Sequence, residues 1–338
     1  MRAKTPHTPS DHNTLSRRQW LNRATTLAAA SALPAWAQPK GQPIKLVVPF
    51  APGGGNDVFA RQMAQGLADR FGRNVVVENK PGAGGNIGTE QVVRAAPDGS
   101  TLLLGHTGTV SINPSLYKGL KFNATTDLRP VAMFASSALL LVVPANSPVQ
   151  NVAQLATAMR GASKGLSYAS SGAGTGGHLT GELFTHVLGT EAVHAPYRGT
   201  APSLTDLAGG MVDFSFAVIP AAMALVRAGK LRALGITSAK RHSQMPEVPT
   251  IAESGVPELA RFESSLSYGL LAPKDTPLEV VRQLGAEVLQ VAAAPAFQAK
   301  LEVEGAEPQL GDTTAYAQKI REETTKWAAV IKTSGATV

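Results

Sequence analysis

The chain contains no cysteine. That excludes disulfides, thiolate metal sites, a cysteine nucleophile and a lipid-anchoring cysteine behind a leader. Aromatic residues are few, and the Lys and Arg residues are scattered rather than gathered into a basic stripe. Nucleic acid is therefore not an expected partner. A Walker phosphate loop is missing as well, because Gly229-Lys230 is followed by Leu231. The apolar run at residues 24–33 is short of the roughly 20 residues that a membrane span requires.

What is present begins with a leader. Ser16-Arg17-Arg18-Gln19-Trp20-Leu21 resembles a twin-arginine export signal, and Ala35-Trp36-Ala37 after the apolar run forms a small-x-small cleavage site. Residues 1–37 are expected to be an export signal cleaved near Ala37, by the twin-arginine route or by the ordinary secretory one. The expected location is the periplasm. The net charge of +7 belongs partly to this leader, where Arg2, Lys4, Arg17, Arg18 and Arg23 outweigh Asp11 and leave +3 for the rest.

Beyond the leader, apolar runs rich in Val, Ile and Leu at 44–50, 74–78, 101–105, 138–143, 166–169, 192–195, 211–219 and 231–236 alternate with helical patterns. This predicts α/β layers with largely parallel sheets, whose ligands bind beyond the C-terminal ends of the strands. Runs at 138–145 and 265–273 read as two crossovers. They divide the chain into one domain of residues 41–141 plus 265–338 and a second of 142–264. Helices are expected over 278–293 and 313–332, the latter packing back on the first domain.

Four glycine-rich loops follow strands and open helices. They are 52–57, 82–88, 170–177 and 196–202. In the first, three consecutive glycines at a helix mouth leave backbone N–H groups bare at the positive end of a helix dipole, which makes an anion site. Asp57 reads as the helix N-cap. Gly172, Gly174 and Gly177 spell G-x-G-x-x-G, but Tyr197-Arg198 stand where a dinucleotide site needs an acid, so no cofactor is expected. Gly161-Ala162-Ser163-Lys164-Gly165 matches the hydrolase elbow pattern, yet it follows a helix and precedes a strand, the reverse of what an elbow needs. His178, Glu182 and His186 lie four apart and nominally suit a metal. The apolar stripe Leu179, Leu183 and Val187 beside them favours a helix border, and no metal is expected.

These loops and their order resemble the periplasmic receptors of tripartite tricarboxylate transporters, the Bug family. The resemblance covers nearly all of 41–338. It rests on Val48-Pro49-Phe50-Ala51-Pro52-Gly53-Gly54, Asn79-Lys80-Pro81-Gly82-Ala83-Gly84-Gly85-Asn86-Ile87-Gly88, Ala96-Pro97-Asp98-Gly99, Ile112-Asn113-Pro114, Pro196-Tyr197-Arg198-Gly199 and Val248-Pro249-Thr250-Ile251-Ala252-Glu253. It implies a two-domain clamshell of the type II-like periplasmic binding protein kind, with mixed, mostly parallel sheets and two hinge crossovers. It implies a monomer that closes on a small organic carboxylate and delivers it to integral-membrane permease subunits, without chemistry.

By the same resemblance, Ala51, Gly53, Gly54, Gly55, Asn56 and Asp57 hold one carboxylate, with Thr107 and Thr109 beside it. Ser170, Ser171, Gly174, Thr175, Tyr197, Gly199 and Thr200 receive the other end of the ligand, and His178 reaches the cleft. Many relatives carry an aspartate after the segment matching Phe214-Ser215-Phe216, where this chain has Ala217. That makes the cleft more apolar there, counts against amine-bearing ligands such as amino acids, and leaves di- or tricarboxylates and aromatic acids as expected ligands. Two alternatives share these loops: a periplasmic hydrolase using Ser170 or Ser171 with His178, and a sensor accessory handing the ligand to a signalling partner.

Overall fold

The computed structural model describes residues 42–334 apart from Gly54, Lys164 and Arg198. The export signal with Arg17, Arg18 and Ala37, and Gly54 of the first loop, lie outside the described residues.

Ten strands join in one sheet. They are β1 (Ile44–Val48), β2 (Val75–Asn79), β3 (Thr101–His106), β4 (Leu128–Pro144), β5 (Leu166–Ser170), β6 (Ala192–Pro196), β7 (Phe214–Val218), β8 (Leu231–Ile236), β9 (Ser265–Pro273) and β10 (Ala306–Gly311). The helices are α1 (Gly55–Phe71), α2 (Asn86–Val93), α3 (Asn113–Leu116), α4 (Ala124–Asp127), α5 (Val152–Gly161), α6 (Gly176–Leu188), α7 (Thr200–Ala208), α8 (Ile219–Arg227), α9 (Leu278–Ala293), α10 (Pro295–Val303) and α11 (Thr313–Ser334).

The strand order is β2-β1-β3-β9-β4-β7-β5-β6, with β10 and β8 also on β4. Parallel pairing holds at the two ends, where β1 lies between β2 and β3 and β5 lies between β6 and β7. The middle is antiparallel, because β4 and β9 carry the chain in opposite directions. The run expected at 138–143 is only the last part of β4. Its earlier part, 128–138, pairs with β9, and its end, 139–144, pairs with β7 and β8. One long strand thus belongs to both lobes of an α/β clamshell, the β1–β3, β9, β10 side and the β5–β8 side. Sequence patterning missed β10 and the beginning of β4, where Arg129-Pro130 and Glu307-Pro308 interrupt the apolar pattern.

Alternation along the strands sends side chains into two layers. Ile44, Leu46 and Val48 face α1 and α9 with Phe59, Met63, Leu67 and Leu284, whereas Val47 faces the other side with Tyr316 of α11. Leu139, Leu141 and Val143 meet Leu179 and Phe184 of α6, while Leu140 and Val142 meet Leu204 and Leu207 of α7. The final helix does more than expected. Tyr316 and Ile320 pack in the first lobe, but Trp327, Val330 and Ile331 join the core of the second. Its 22 residues, about 33 Å at 1.5 Å each, are long enough to reach both.

Candidate functional site

The first loop is held by a carboxylate. Helix α1 begins at Gly55, so Asp57 stands in its first turn rather than at the N-cap. Its Oδ2 accepts the Gly53 N–H at 3.0 Å and Arg61 Nε at 2.9 Å, and its Oδ1 accepts Asn79 Nδ2 at 3.0 Å. Burial by itself would raise this carboxyl, but Arg61, the Gly53 amide and Asn79 outweigh it and hold Asp57 below the usual carboxylate range. Asn79 also donates to the Phe50 carbonyl at 3.1 Å, tying β2 to the loop. Gly53 sits at φ +86°, where a side chain would be strained.

The third loop is held by neutral groups. His178 Nδ1 accepts the Gly174 N–H at 3.0 Å, and Ser170 Oγ accepts the Gly172 N–H at 3.1 Å. Thr175 Oγ1 donates to the Gly172 carbonyl at 2.7 Å. His178 stacks on His194 with centroids 3.9 Å apart, and His194 Nε2 meets Ser170 Oγ at 2.7 Å. Burial lowers both imidazoles to about 4. Neutral His178 therefore carries its proton on Nε2 while Nδ1 accepts. The pairing of Ser170 or Ser171 with His178 that a hydrolase would need is not formed, since each member of the Ser170 and His178 pair has another partner. The nominal metal trio is also taken up locally, because Glu182 accepts the Tyr168 hydroxyl at 2.6 Å.

Both loops open on one cavity of about 390 Å³. Of the expected site residues, Gly55, Asn56, Ser171, Gly174 and Thr175 line it. Asp57, Thr107, Thr109, Ser170, His178 and Ala217 are buried behind the lining. Thr107 Oγ1 accepts the Ser267 N–H at 2.9 Å, and Thr109 Oγ1 donates to the His106 carbonyl at 3.1 Å. Ala51 and Gly53 are exposed and stand outside the lining, as do Tyr197, Gly199 and Thr200. Tyr197 instead donates its hydroxyl to Asp206 at 2.8 Å.

The lining contains groups that sequence reasoning did not assign to the site. Although aromatics are scarce in the chain, one wall is aromatic. Phe50 stacks on His106 at 4.9 Å, His106 tilts against Tyr268 at 5.8 Å, and Phe59 meets Tyr268 edge-on at 5.1 Å. His106 closes β3 at its C-terminal end, a position where ligands of such sheets bind, so that signal was available. Its Nδ1 accepts the Gly108 N–H at 2.7 Å, and burial lowers it to about 4, which leaves Nε2–H as a neutral donor. Burial pushes Tyr268 up to about 12, with Ser137 acting weakly in the other direction. A π-helical turn, Gly108–Ile112, carries the chain from His106 to Asn113. Asn113 Nδ2 donates to the Gly84 carbonyl at 3.0 Å and to Asn86 Oδ1 at 2.8 Å, so the second glycine loop is pinned against the same cavity.

The helices present their N-terminal ends here: Gly55 and Asn56 for α1, Thr175 and Gly176 for α6, Val218 and Pro220 for α8. Among the described residues no lysine or arginine lines the cavity. The site can hold an anion through dipoles and neutral donors, with an apolar wall for the rest of the ligand.

A family model described as the tripartite tricarboxylate transporter family receptor matches residues 59–336. A curated protein of Pseudomonas sp. strain P51, from the tcbD–tcbE intergenic region, is 38% identical over 290 residues, covering 86% of this chain and 85% of that one. The solved structure of Rpa4515 of R. palustris with adipate is 36% identical, with a TM-score of 0.76, covering 89% of this chain and all of that one. MatC of Rhodopseudomonas palustris with bound malate is 31% identical, with a TM-score of 0.71, covering 85% of this chain and 98% of that one.

Proposed function

We propose a function from one premise: the chain belongs to the tripartite tricarboxylate transporter receptor family. Its kin are periplasmic binding proteins, and it is a solute-binding protein, not an enzyme. In our reading it captures a small organic carboxylate in the cavity and delivers it to the permease subunits of a tripartite transporter. Di- or tricarboxylates and aromatic acids are the classes we consider. The observation that carries this is the meeting of helix N-termini on one cavity whose described lining holds no cationic side chain. Adipate and malate in the related structures support it.

In this reading β4 and β9 form the hinge, with residues 41–141 plus 265–338 in one domain and 142–264 in the other. The protein acts as a periplasmic monomer after removal of residues 1–37 near Ala37. Gly305 supports closure on this axis. A Cβ there would stand 2.7 Å from Pro220 Cδ, so the first lobe already touches the start of α8.

The test is a thermal-shift screen against mono-, di- and tricarboxylates. A true ligand at 100 times its dissociation constant adds about 2.7 kcal/mol of stability. A screen in which no carboxylate stabilises the protein would sink the proposal. For export, replacing Arg17 and Arg18 by lysine should trap the precursor if the twin-arginine route is used, and unchanged export would assign the ordinary route.

A further inference from the structure

The first-lobe end of the cavity carries a carboxylate beside its donors. Glu304, the residue that ends α10, turns its carboxylate into the cavity. Its Oε2 lies 3.7 Å from where a Cβ on Gly55 would stand, at the mouth of α1. No hydrogen bond or ion pair joins this carboxylate to another described residue. Asn56, in the first turn of α1, lines the same end, and its side-chain oxygen is buried without a partner among the described residues. Glu304 is the only charged side chain of the described lining.

The opposite end differs. Ser171, Thr175 and Gly176 stand at the start of the 13-residue α6, and the group bracing them, His178, is neutral. A ligand carboxylate there meets a hydroxyl and the positive end of a helix with no opposing charge. At α1 the same carboxylate would face Glu304, which already answers the dipole of that helix.

We propose that Glu304 gives the cleft a polarity and thereby selects the ligand class. The ligand carboxylate is received at Ser171–Gly176, and the far end of the ligand presents a donor, a hydroxyl or an ammonium, to Glu304. The preferred ligands are carboxylates with a donor at the other end, not α,ω-dianions. This rests on the carboxylate-receptor reading above and narrows it.

The test uses three probes of equal length, 6-aminohexanoate, 6-hydroxyhexanoate and adipate, titrated calorimetrically at pH 7 into the wild-type protein and into Glu304→Gln and Glu304→Ala. The expected order for the wild type places 6-aminohexanoate tightest and adipate weakest. Both variants should shift the ratio toward adipate by about tenfold, the scale of one removed charge contact in a partly desolvated site. Adipate bound best by the wild type, with a ratio unmoved in the variants, overturns the polarity and leaves the receptor reading intact. Absence of binding by all three probes, where another acid of the thermal-shift screen binds, overturns the polarity alone, and a screen in which no carboxylate binds overturns both.

Discussion

The first and third glycine-rich loops, which face each other across the cavity, are held by different chemistry. The first is pinned by an ionised carboxylate, Asp57, which collects donors from Gly53, Arg61 and Asn79. The third is pinned by uncharged acceptors, His178 and Ser170. Asp57 shows that a glycine loop at a helix mouth can contain a carboxylate, provided the carboxylate points back into the loop and spends its lone pairs there. His178 shows the complement: a residue that looked like a ligand group or metal group is a brace, and it consumes the Gly174 amide that sequence reasoning had offered to the ligand. The donors left for a ligand are those at the helix mouths, where the first turn has no acceptors of its own.

The largest expected effect separates the loops by packing. A Cβ on Gly177 would stand 2.6 Å from the Phe216 carbonyl, on rigid backbone of β7. Gly177→Ala should therefore cost about 3 kcal/mol, the upper range for overpacking, and denaturant unfolding should show it. A cost under about 1 kcal/mol would mean that α6 is free to shift and does not fix the third loop.

Acid should distinguish the loops next. The folded pKa of His178 lies below its unfolded value, so its contribution is complete above about pH 6.5 and is lost as pH falls toward about 4. The share due to His178 should be about 2 kcal/mol at pH 5, read as the difference in acid destabilisation between the wild type and His178→Gln, with His194 and His106 adding their own loss in both. Asp57 shifts downward, so its contribution survives at pH 5 and fades only below the ordinary carboxylate range. Amide NMR of the folded protein from pH 6 down to about 4 should accordingly move Gly174, which follows the folded titration of His178, and leave Gly53 nearly in place, because Asp57 titrates lower. Equal movement of both amides would erase the distinction between a charged and a neutral brace.

The smallest effect is conformational. Nothing lies within 4 Å of a Cβ placed on Gly53, yet its φ is +86°. Gly53→Ala should cost only about 1 kcal/mol through backbone strain. The same substitution should leave ligand affinity nearly unchanged, because Gly53 stands outside the cavity lining. A tenfold loss of affinity, read by calorimetry, would return this glycine to the site.

Much of the framework was legible in the chain. Strands at 231–236 and 265–273 and the helix at 278–293 coincide with the observed elements, since strong periodic patterns bounded by turn residues leave little choice. The glycine loops were legible because positions such as Gly53, Gly82, Gly172 and Gly174 adopt positive φ, which favours glycine. Legibility failed where tertiary contact decides. The first ten residues of β4 contain Arg129, Pro130 and two serines, and they form a strand because β9 and β10 flank them on both sides. The last helix was assigned to one lobe because periodicity identifies an apolar face without saying what that face meets.

By itself, the sequence determined the alternation of strands and helices, the glycine turns between them and the absence of cysteine chemistry. Those depend on local backbone preference and on residue inventory, both readable along the chain. Only the tertiary structure decided which glycine-loop amides remain for a ligand, which scarce aromatics gather into one wall, and that Glu304 stands at the mouth of α1. Glu304 and Gly55 are far apart along the chain and meet only because the turn after α10 and the first loop open on the same cavity. No local pattern encodes such a meeting, because the charge that a cradle feels is set by whatever the fold brings beside it.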